Sequence, residues 1–401
     1  MTEFRLIWSI YISLWKFIIG MKYIDRQITT RFLAQLNRNK VIVLLGSRRV
    51  GKTVFIEHII QNHIRKDYLY LNGDDVQTQA AFADRTLNNF KRLIGKNRYL
   101  IIDEAQNIKD IGWALKLIHD QIKEVTIIAT GSSTFDLQSK IGEPLTGRKS
   151  KFFLFPFSQQ ELSAYENLIE TKANLSARLI YGSYPEIFQN DDKISWEEYL
   201  KDLSSEYLFK DILVLENIHN AAKLHDLLRL LAFQVGNLVS YDELGRQLGM
   251  SKNTVIKYLD LLTKTFIIFP LPGYSRNLRN EITKSKKWYF YDNGIRNAMI
   301  YNFNPLEFRN DIGQLWENYF ISERIKYQYN NRILANNYFW RTYKQQEIDL
   351  IEESGRQLTA FETKWGSSKK HKIPKSWSEA YPDSRFYFVN PDNYLDFIDP
   401  L

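Results

Sequence analysis

The stretch Gly46-Ser47-Arg48-Arg49-Val50-Gly51-Lys52-Thr53 constrains this chain more than any other feature, because it fits G-x-x-x-x-G-K-[ST]. Glycines reach backbone conformations closed to other residues, so the amides of such a loop can turn inward around phosphate oxygens. In this pattern Lys52 reaches the β- and γ-phosphates and the Thr53 hydroxyl lies on Mg²⁺. All eight residues are therefore candidate nucleotide ligands. A phosphate loop belongs between a strand and a helix, whose N-terminus adds positive potential. Both flanks comply. Val41-Ile42-Val43-Leu44-Leu45 is a continuous apolar run, as a central parallel strand requires. Phe55, Ile56, Ile59, Ile60, His63 and Ile64 follow at helical spacing.

A second stretch completes the expectation. Tyr99-Leu100-Ile101-Ile102-Asp103-Glu104 reads as a buried strand carrying an acid to its C-terminal edge, where ligands of open α/β sheets bind. Asp103 is expected to hold Mg²⁺ through its water shell. Glu104 is expected to orient and deprotonate the attacking water, and the two acids together favour hydrolysis over binding alone. Tyr68-Leu69-Tyr70-Leu71 predicts another strand, and residues around 78–94 read as helical. Val125 to Thr130 predicts a strand ending in Gly131-Ser132-Ser133. There the hydroxyls of Thr130 and Ser132 would lie near the γ-phosphate, with a helix cap by Ser132 or Ser133 an equal contender. A further strand is predicted over Lys151 to Phe155, followed by a capping box at Ser158-Gln159-Gln160-Glu161. Between the last two strands, Leu145-Thr146-Gly147-Arg148 would bring Arg148 to the same edge, to contact the γ-phosphate of its own or a neighbouring subunit. An exposed surface arginine is the commoner case.

The rest of the 401 residues suggests two to three domains in all. The absence of cysteine excludes disulfides, cysteine-held zinc and thiol chemistry, and is compatible with the cytoplasm. A net charge of +8 favours polyanionic partners such as nucleic acid. Residues 1–20 are mostly apolar from Leu6, but Ser9, Ser13 and Lys16 break the run, which is too short for a membrane span. They read as an extension outside the core, with a surface helix or an anchor as alternatives. Residues 21–40 read as a helix with Phe32, Leu33 and Leu36 on one face, and 161–220 as a helical lid interrupted at Tyr181-Gly182-Ser183-Tyr184-Pro185-Glu186. An apolar helix over 222–233 precedes two short helices, opened by Ser240 and Ser251 and joined at Gly249-Met250, a helix-turn-helix pattern. Phe266 to Phe269 and Lys287 to Phe290 would form its β-wing. Its second helix would show Lys252, Asn253 and Lys257 to solvent, residue types that touch phosphates and base edges. A solvated face or a protein contact is the competing reading.

The C-terminal third carries more acids. Glu347 to Ile351 and Leu358 to Lys364 predict a hairpin turning at Ser354-Gly355. That loop would set Asp349 opposite Ala360 and diagonal to Glu362, with Asp349, Glu362 and Lys364 on one face. Two carboxylates and a lysine so arranged suit metal-dependent phosphodiester cleavage, with Glu317 on the preceding helix a further candidate ligand. A polar hairpin face would present similar residues. The basic stretch Lys364, Lys369, Lys370, His371, Lys372 and Lys375, with Trp365 and Trp377, suits either a nucleic-acid backbone or a solubilising loop.

These motifs resemble a known family. Gly-Ser-Arg-Arg-Val-Gly-Lys-Thr, Ile-Ile-Asp-Glu-Ala-Gln at 101–106, Thr-Gly-Ser-Ser at 130–133, Leu-Thr-Gly-Arg at 145–148 and Tyr-Gly-Ser-Tyr-Pro-Glu at 181–186 look like those of prokaryotic AAA-type (AAA+) P-loop ATPases related to the archaeal ATPases. The resemblance covers roughly 21–401. It implies an α/β P-loop NTPase core at 21–160, a helical lid at 161–220, a winged helix at 221–300 and a C-terminal α/β domain at 301–401. That last domain resembles the PD-(D/E)XK, or restriction-endonuclease-like, fold, in which Asp349, Glu362 and Lys364 match D-x(n)-E-x-K. The expected cofactors are ATP and Mg²⁺, and the expected partners double-stranded DNA, a protein or a second copy. The leading expectation is an ATPase coupling nucleotide state to DNA or a partner. The alternatives are an ATP-regulated, Mg²⁺-dependent DNA nuclease, in defence for example, and a nucleotide-gated protein-interaction module.

Overall fold

A computed structural model describes residues 23–38, 40–132, 145–207, 221–275, 286–342, 344–366 and 372–400. The expectations for 1–20, Ser133, the lid segment 208–220 and Lys369-Lys370-His371 lie outside those residues. Five strands form the first sheet: β1 (Val41–Leu45), β2 (Tyr68–Asn72), β3 (Tyr99–Asp103), β4 (Thr126–Gly131) and β5 (Lys149–Phe153). They lie in the order β2-β3-β4-β1-β5, and every neighbouring pair is parallel. β1 lacks alternation because both of its faces are covered. Val41, Val43 and Leu45 pack with Leu100, Ile102 and Ile127 beneath helix Ile111–Gln121. Ile42 and Leu44 pack on the other face with Val50, Phe55, Ile56 and Ile59 of the loop and helix Lys52–Ile59.

Boundaries differ from expectation where local capping or turns intervene. The helical stretch expected around 78–94 is present as two helices, Val76–Ala83 and Leu87–Ile94. Asp75 and Thr86 each accept a backbone N–H at a helix start, and the second cap divides the stretch. The helix expected in 21–40 is only Thr29–Leu33, followed by turns. β5 begins two residues earlier than predicted.

Helices Gln159–Leu162, Leu168–Tyr181 and Lys193–Asp202 follow, then helix Ala221–Phe233. Next come β6 (Leu238–Val239), helices Tyr241–Leu248 and Lys252–Lys264, β7 (Ile268–Leu271) and β8 (Lys286–Phe290). β8 is the central strand of an antiparallel sheet in the order β6-β8-β7. Ser240 and Ser251 cap the two helices, and Gly249 turns between them at φ 59°. Helix Ile312–Asn330 leads into a four-stranded sheet of β9 (Asn336–Arg341), β10 (Glu347–Ser354), β11 (Gln357–Thr363) and β12 (Arg385–Val389), ordered β12-β11-β10-β9. One apolar cluster runs through these later regions, from Leu175 and Leu203 through Leu227 and Leu262 to Trp316, Phe361 and Tyr394.

Candidate functional site

The phosphate loop sits at the C-terminal edge of the parallel sheet. Lys52 is buried, and its ammonium donates to the carbonyls of Gly46 and Ser47, each at 2.9 Å. The Thr53 hydroxyl donates to Asp103 Oδ2 at 2.7 Å, joining the helix start to the end of β3. Tyr70 on β2 donates to the same oxygen at 2.9 Å. Burial, then the Asp103 charge, raises the Tyr70 phenol, so it stays protonated and remains a donor. Thr130 Oγ1 donates to Asp103 Oδ1, and the Glu104 amide donates to Thr130 Oγ1 at 3.1 Å. A hydroxyl and a carboxylate in contact are a donor set that fits a hydrated, hard cation such as Mg²⁺.

Glu104 occupies the left-handed region at φ 48°. Gly73, at the end of β2, makes room for it, since a Cβ at Gly73 would overlap the Glu104 carbonyl. The Gln106 amide donates to the Glu104 carboxylate and to Ser132 Oγ, the latter at 3.2 Å. Ser132 thus meets the site through Gln106. Arg48 and Arg49 form the tip of the loop, with Arg49 exposed at φ 61°.

The loop is held from behind. Gly46 is required because a Cβ there would overlap the Leu154 carbonyl. Gly51 adopts φ 92°. The buried Arg26 guanidinium donates to Val50 O at 2.6 Å, Phe155 O at 3.0 Å and Glu161 at 3.2 Å, and lies 4.0 Å from the Phe157 ring centre. Glu161 is also the return partner of the Ser158 capping box. Tyr184, buried in the break at 181–186, lies 2.9 Å from Ser47 Oγ through its hydroxyl.

Arg148 corrects the expectation. It immediately precedes β5, which runs parallel to β1, and its carbonyl accepts from the Val41 amide at 2.8 Å. It therefore stands at the edge of the sheet opposite the phosphate loop, where its side chain donates to Asp120 at 2.9 Å. The glycine turn before it could have served either edge; strand register decided.

A second cluster lies in the C-terminal region. The hairpin loop is Gly355-Arg356, with Ser354 opposite Gln357 and Leu350 opposite Phe361. The register expected from a Ser354-Gly355 loop is thus shifted, and its continuation sets Asp349 across from Glu362. Asp349 Oδ2 accepts from the Thr363 amide and hydroxyl, both at 2.8 Å. Lys364 donates to Glu362 at 2.6 Å. Glu317, on helix Ile312–Asn330, accepts from Tyr289 at 2.6 Å and Lys287 at 3.2 Å, both on β8. Burial, then Asp349, pushes Glu317 up to about 7, opposed by Lys287 and Tyr289. Glu362 is likewise pushed up to about 7 by burial and Asp349. The structure therefore brings Glu317, Asp349, Glu362 and Lys364 within electrostatic reach of one another. Among the described residues, no group of three or more acids and histidines is arranged to hold a metal ion.

Lys252, Asn253 and Lys257 are exposed on one helix, but Lys252 pairs with Asp242 at 2.7 Å, so the face is not uniformly basic. Trp377, expected in a stretch open to a nucleic-acid backbone or solvent, is instead buried, its ring edge-on to Trp340 and Tyr274 and tilted against Tyr381, with its indole donating to Ser384 at 2.8 Å. The sequence reading missed the roles of Arg26, Tyr70, Gln106, Tyr184 and Lys287. Gln106 and Tyr184 sit within quoted motifs, so a signal existed for them. Nothing local marks Arg26 or Tyr70. Among the described residues, no helix is long and apolar enough to cross a membrane.

Comparison with known proteins adds the following. Residues 38–163 match a family model described as an AAA domain, which supports an AAA-type P-loop ATPase domain there. Residues 172–306 and 312–397 match models described only as domains of unknown function, DUF8612 and DUF4143. An uncharacterized protein of Methanocaldococcus jannaschii is 24% identical over 389 residues, covering 92% of this chain and 84% of the relative. An uncharacterized protein of Mycobacterium tuberculosis is 27% identical over 383 residues, covering 92% and 80%. Among solved structures, the Pif1 helicase from Candida albicans aligns with TM-score 0.28 and 13% identity over 46% of this chain and 48% of that one. Drosophila ORC bound to AT-rich DNA and Cdc6 aligns with TM-score 0.24 and 11% identity over 69% and 90%. Likeness at that level carries no argument about function.

Proposed function

We propose that this chain binds and hydrolyses ATP and passes its nucleotide state to C-terminal elements that engage double-stranded DNA or a protein partner. The 2.7 Å contact between Thr53 and Asp103, with Lys52 and Glu104 beside it, carries the proposal. Lys52 would exchange its two carbonyl partners for phosphate oxygens, and the loop amides would hold the remaining charge. Thr53 and Asp103 would hold Mg²⁺, which supplies neutralisation of phosphate charge when bound. Glu104 would take a proton from the attacking water, with Gln106 orienting its carboxylate. Arg148 has no part in this scheme within its own subunit. The described elements between Ala221 and Phe290 suit a winged helix by their order, one helix, a strand, two helices and two strands.

The test is ATP turnover with and without double-stranded DNA. Lys52→Ala should abolish nucleotide binding and turnover. Glu104→Gln should retain binding and slow turnover by about 10²-fold or more, the usual contribution of a general base. Undiminished turnover in Lys52→Ala would remove the assignment. Stimulation by DNA would support DNA coupling, and indifference to it would favour a protein partner.

A second reading, a nucleotide-regulated DNA nuclease, is favoured by the convergence of Glu317, Asp349, Glu362 and Lys364. These carboxylates are already engaged by Lys287, Lys364 and Thr363, so no metal-dependent step is assigned. The reading requires DNA cutting that disappears in Asp349→Asn; intact DNA under every nucleotide condition would reject it.

A further inference from the structure

Lys287 stands where a lysine is least expected. β8 is the central strand of its sheet, with Leu238 and Leu271 opposite Lys287 on its two neighbours. The residue is only 1% exposed. An ammonium there is tolerable only if carboxylates surround it. They do, and they come from a different part of the chain. Lys287 pairs with Glu317 at 3.2 Å and with Glu347 on β10. Burial opposes its charge, but Glu317, Asp349 and Glu347 outweigh that and hold it protonated.

The position is fixed rather than adventitious. Tyr289, two residues along the same face of β8, donates to the same Glu317 oxygen at 2.6 Å. Asn318 clasps the Phe290 backbone from both sides, accepting from its N–H at 2.8 Å and donating to its C=O at 3.1 Å. Gly236 closes the other side, where a Cβ would lie 3.1 Å from the Glu317 carboxylate. The cluster so closed holds the carboxylates of Glu317, Glu347, Asp349 and Glu362 against the cations of Lys287, Lys364 and Arg341, the last 3.5 Å from Glu347.

We propose that Lys287 is the resident cation of this carboxylate cluster, standing in for a divalent metal and keeping the C-terminal region metal-free while β8 is seated on helix Ile312–Asn330. An acid set of cleavage type therefore has its charge balanced from within: the cation is already supplied by the protein. A metal ion could enter only if the Lys287 ammonium were withdrawn from Glu317 and Glu347. The proposal rests on the nuclease reading only for what an opened cluster would do; the test below reads metal binding and not cleavage.

Mn²⁺ titration of the full chain without nucleotide, followed by the ion's EPR signal, tests it. Wild-type protein should show no Mn²⁺ site sensitive to Asp349→Asn. Lys287→Ala should acquire one, binding about ten-fold tighter or more, because a unit charge about 4 Å away is removed. Lys287→Arg, which keeps the charge, should behave as wild type. The acquired site should vanish in Lys287→Ala/Asp349→Asn. A folded Lys287→Ala protein that binds Mn²⁺ no better than wild type would overturn the proposal. Should that variant fail to fold, the wild-type arm decides alone: a site lost in Asp349→Asn would show that Lys287 does not exclude the metal, and its absence would support the proposal. DNA cutting, measured separately, reports on the nuclease reading independently.

Discussion

Asp103 engages both of its carboxylate oxygens, with Thr53 and Tyr70 on Oδ2 and Thr130 on Oδ1. Such saturation fixes the carboxylate plane before any ligand arrives, which is what positioning a hydrated cation demands. Tyr70 is the member of this set that does not itself face phosphate in the proposed scheme. Tyr70→Phe keeps the ring packed and removes one donor, a loss of about 1 kcal/mol. The expected result is a several-fold rise in KM for Mg-ATP with kcat nearly unchanged, read by steady-state kinetics. Unchanged KM would deny Tyr70 a positioning role. Glu104 should respond in the opposite sense, through kcat. The alternation Tyr68-Leu69-Tyr70-Leu71 announces a strand but not which ring finds the acid, so this role was not legible in the sequence.

At the scale of elements, the break at 181–186 acts as a joint. Gly182 adopts φ 73°, and a Cβ on it would overlap the Asp292 carboxylate. Asp292 is buried just beyond β8, where it accepts from the Ser183 amide at 2.7 Å and caps helix Asn293–Met299 at Ile295 N, 3.2 Å away. Tyr184, the next residue, reaches Ser47. One turn thus touches the phosphate loop on one side and the root of β8 on the other. Gly182→Ala combines an unfavourable left-handed backbone with a steric clash, and should destabilise by about 1–3 kcal/mol. Urea denaturation would measure the loss, and a variant as stable as wild type would show that the joint tolerates a side chain. The stretch around 78–94 shows the converse: its helical character was legible, while the Thr86 cap that divides it is a local detail.

For the whole molecule, the acidic cluster makes pH a structural variable. Glu317 and Glu362 are both raised from 4.5 to about 7, by burial first and Asp349 second. A carboxyl raised on folding binds more protons in the folded state, so its contribution falls as pH rises from about 4.5 through about 7. The stability of the C-terminal region should therefore decline over that window. Glu317→Gln, which cannot ionise, should flatten the decline. Chemical denaturation of both proteins at pH 5 and pH 7.5, followed by tryptophan fluorescence, checks it; equal slopes would show that Glu317 titrates alike in both states. The ionisable groups in contact come from three separate parts of the chain, β8, helix Ile312–Asn330 and the β10–β11 hairpin, so the effect belongs to their association.

The parallel sheet, the phosphate loop and the acid at the end of β3 were legible in the sequence, because each rests on a contiguous stretch whose pattern dictates its local conformation. The same holds for the capping box at Ser158 and for the two acids and lysine of the last hairpin. Tertiary structure alone decided which edge Arg148 occupies, since that depends on the direction of β5 beside β1. It decided that Trp377 is core, because burial is set by what packs on top. It also set Asp349 across from Glu362, through a turn one residue later than its glycine suggested. Above all it delivered Lys287 to Glu317. A lysine in a short strand reads locally as solvent-facing, and only the packing of β8 on a helix thirty residues later, from Lys287 to Glu317, supplies the carboxylates that let it be buried.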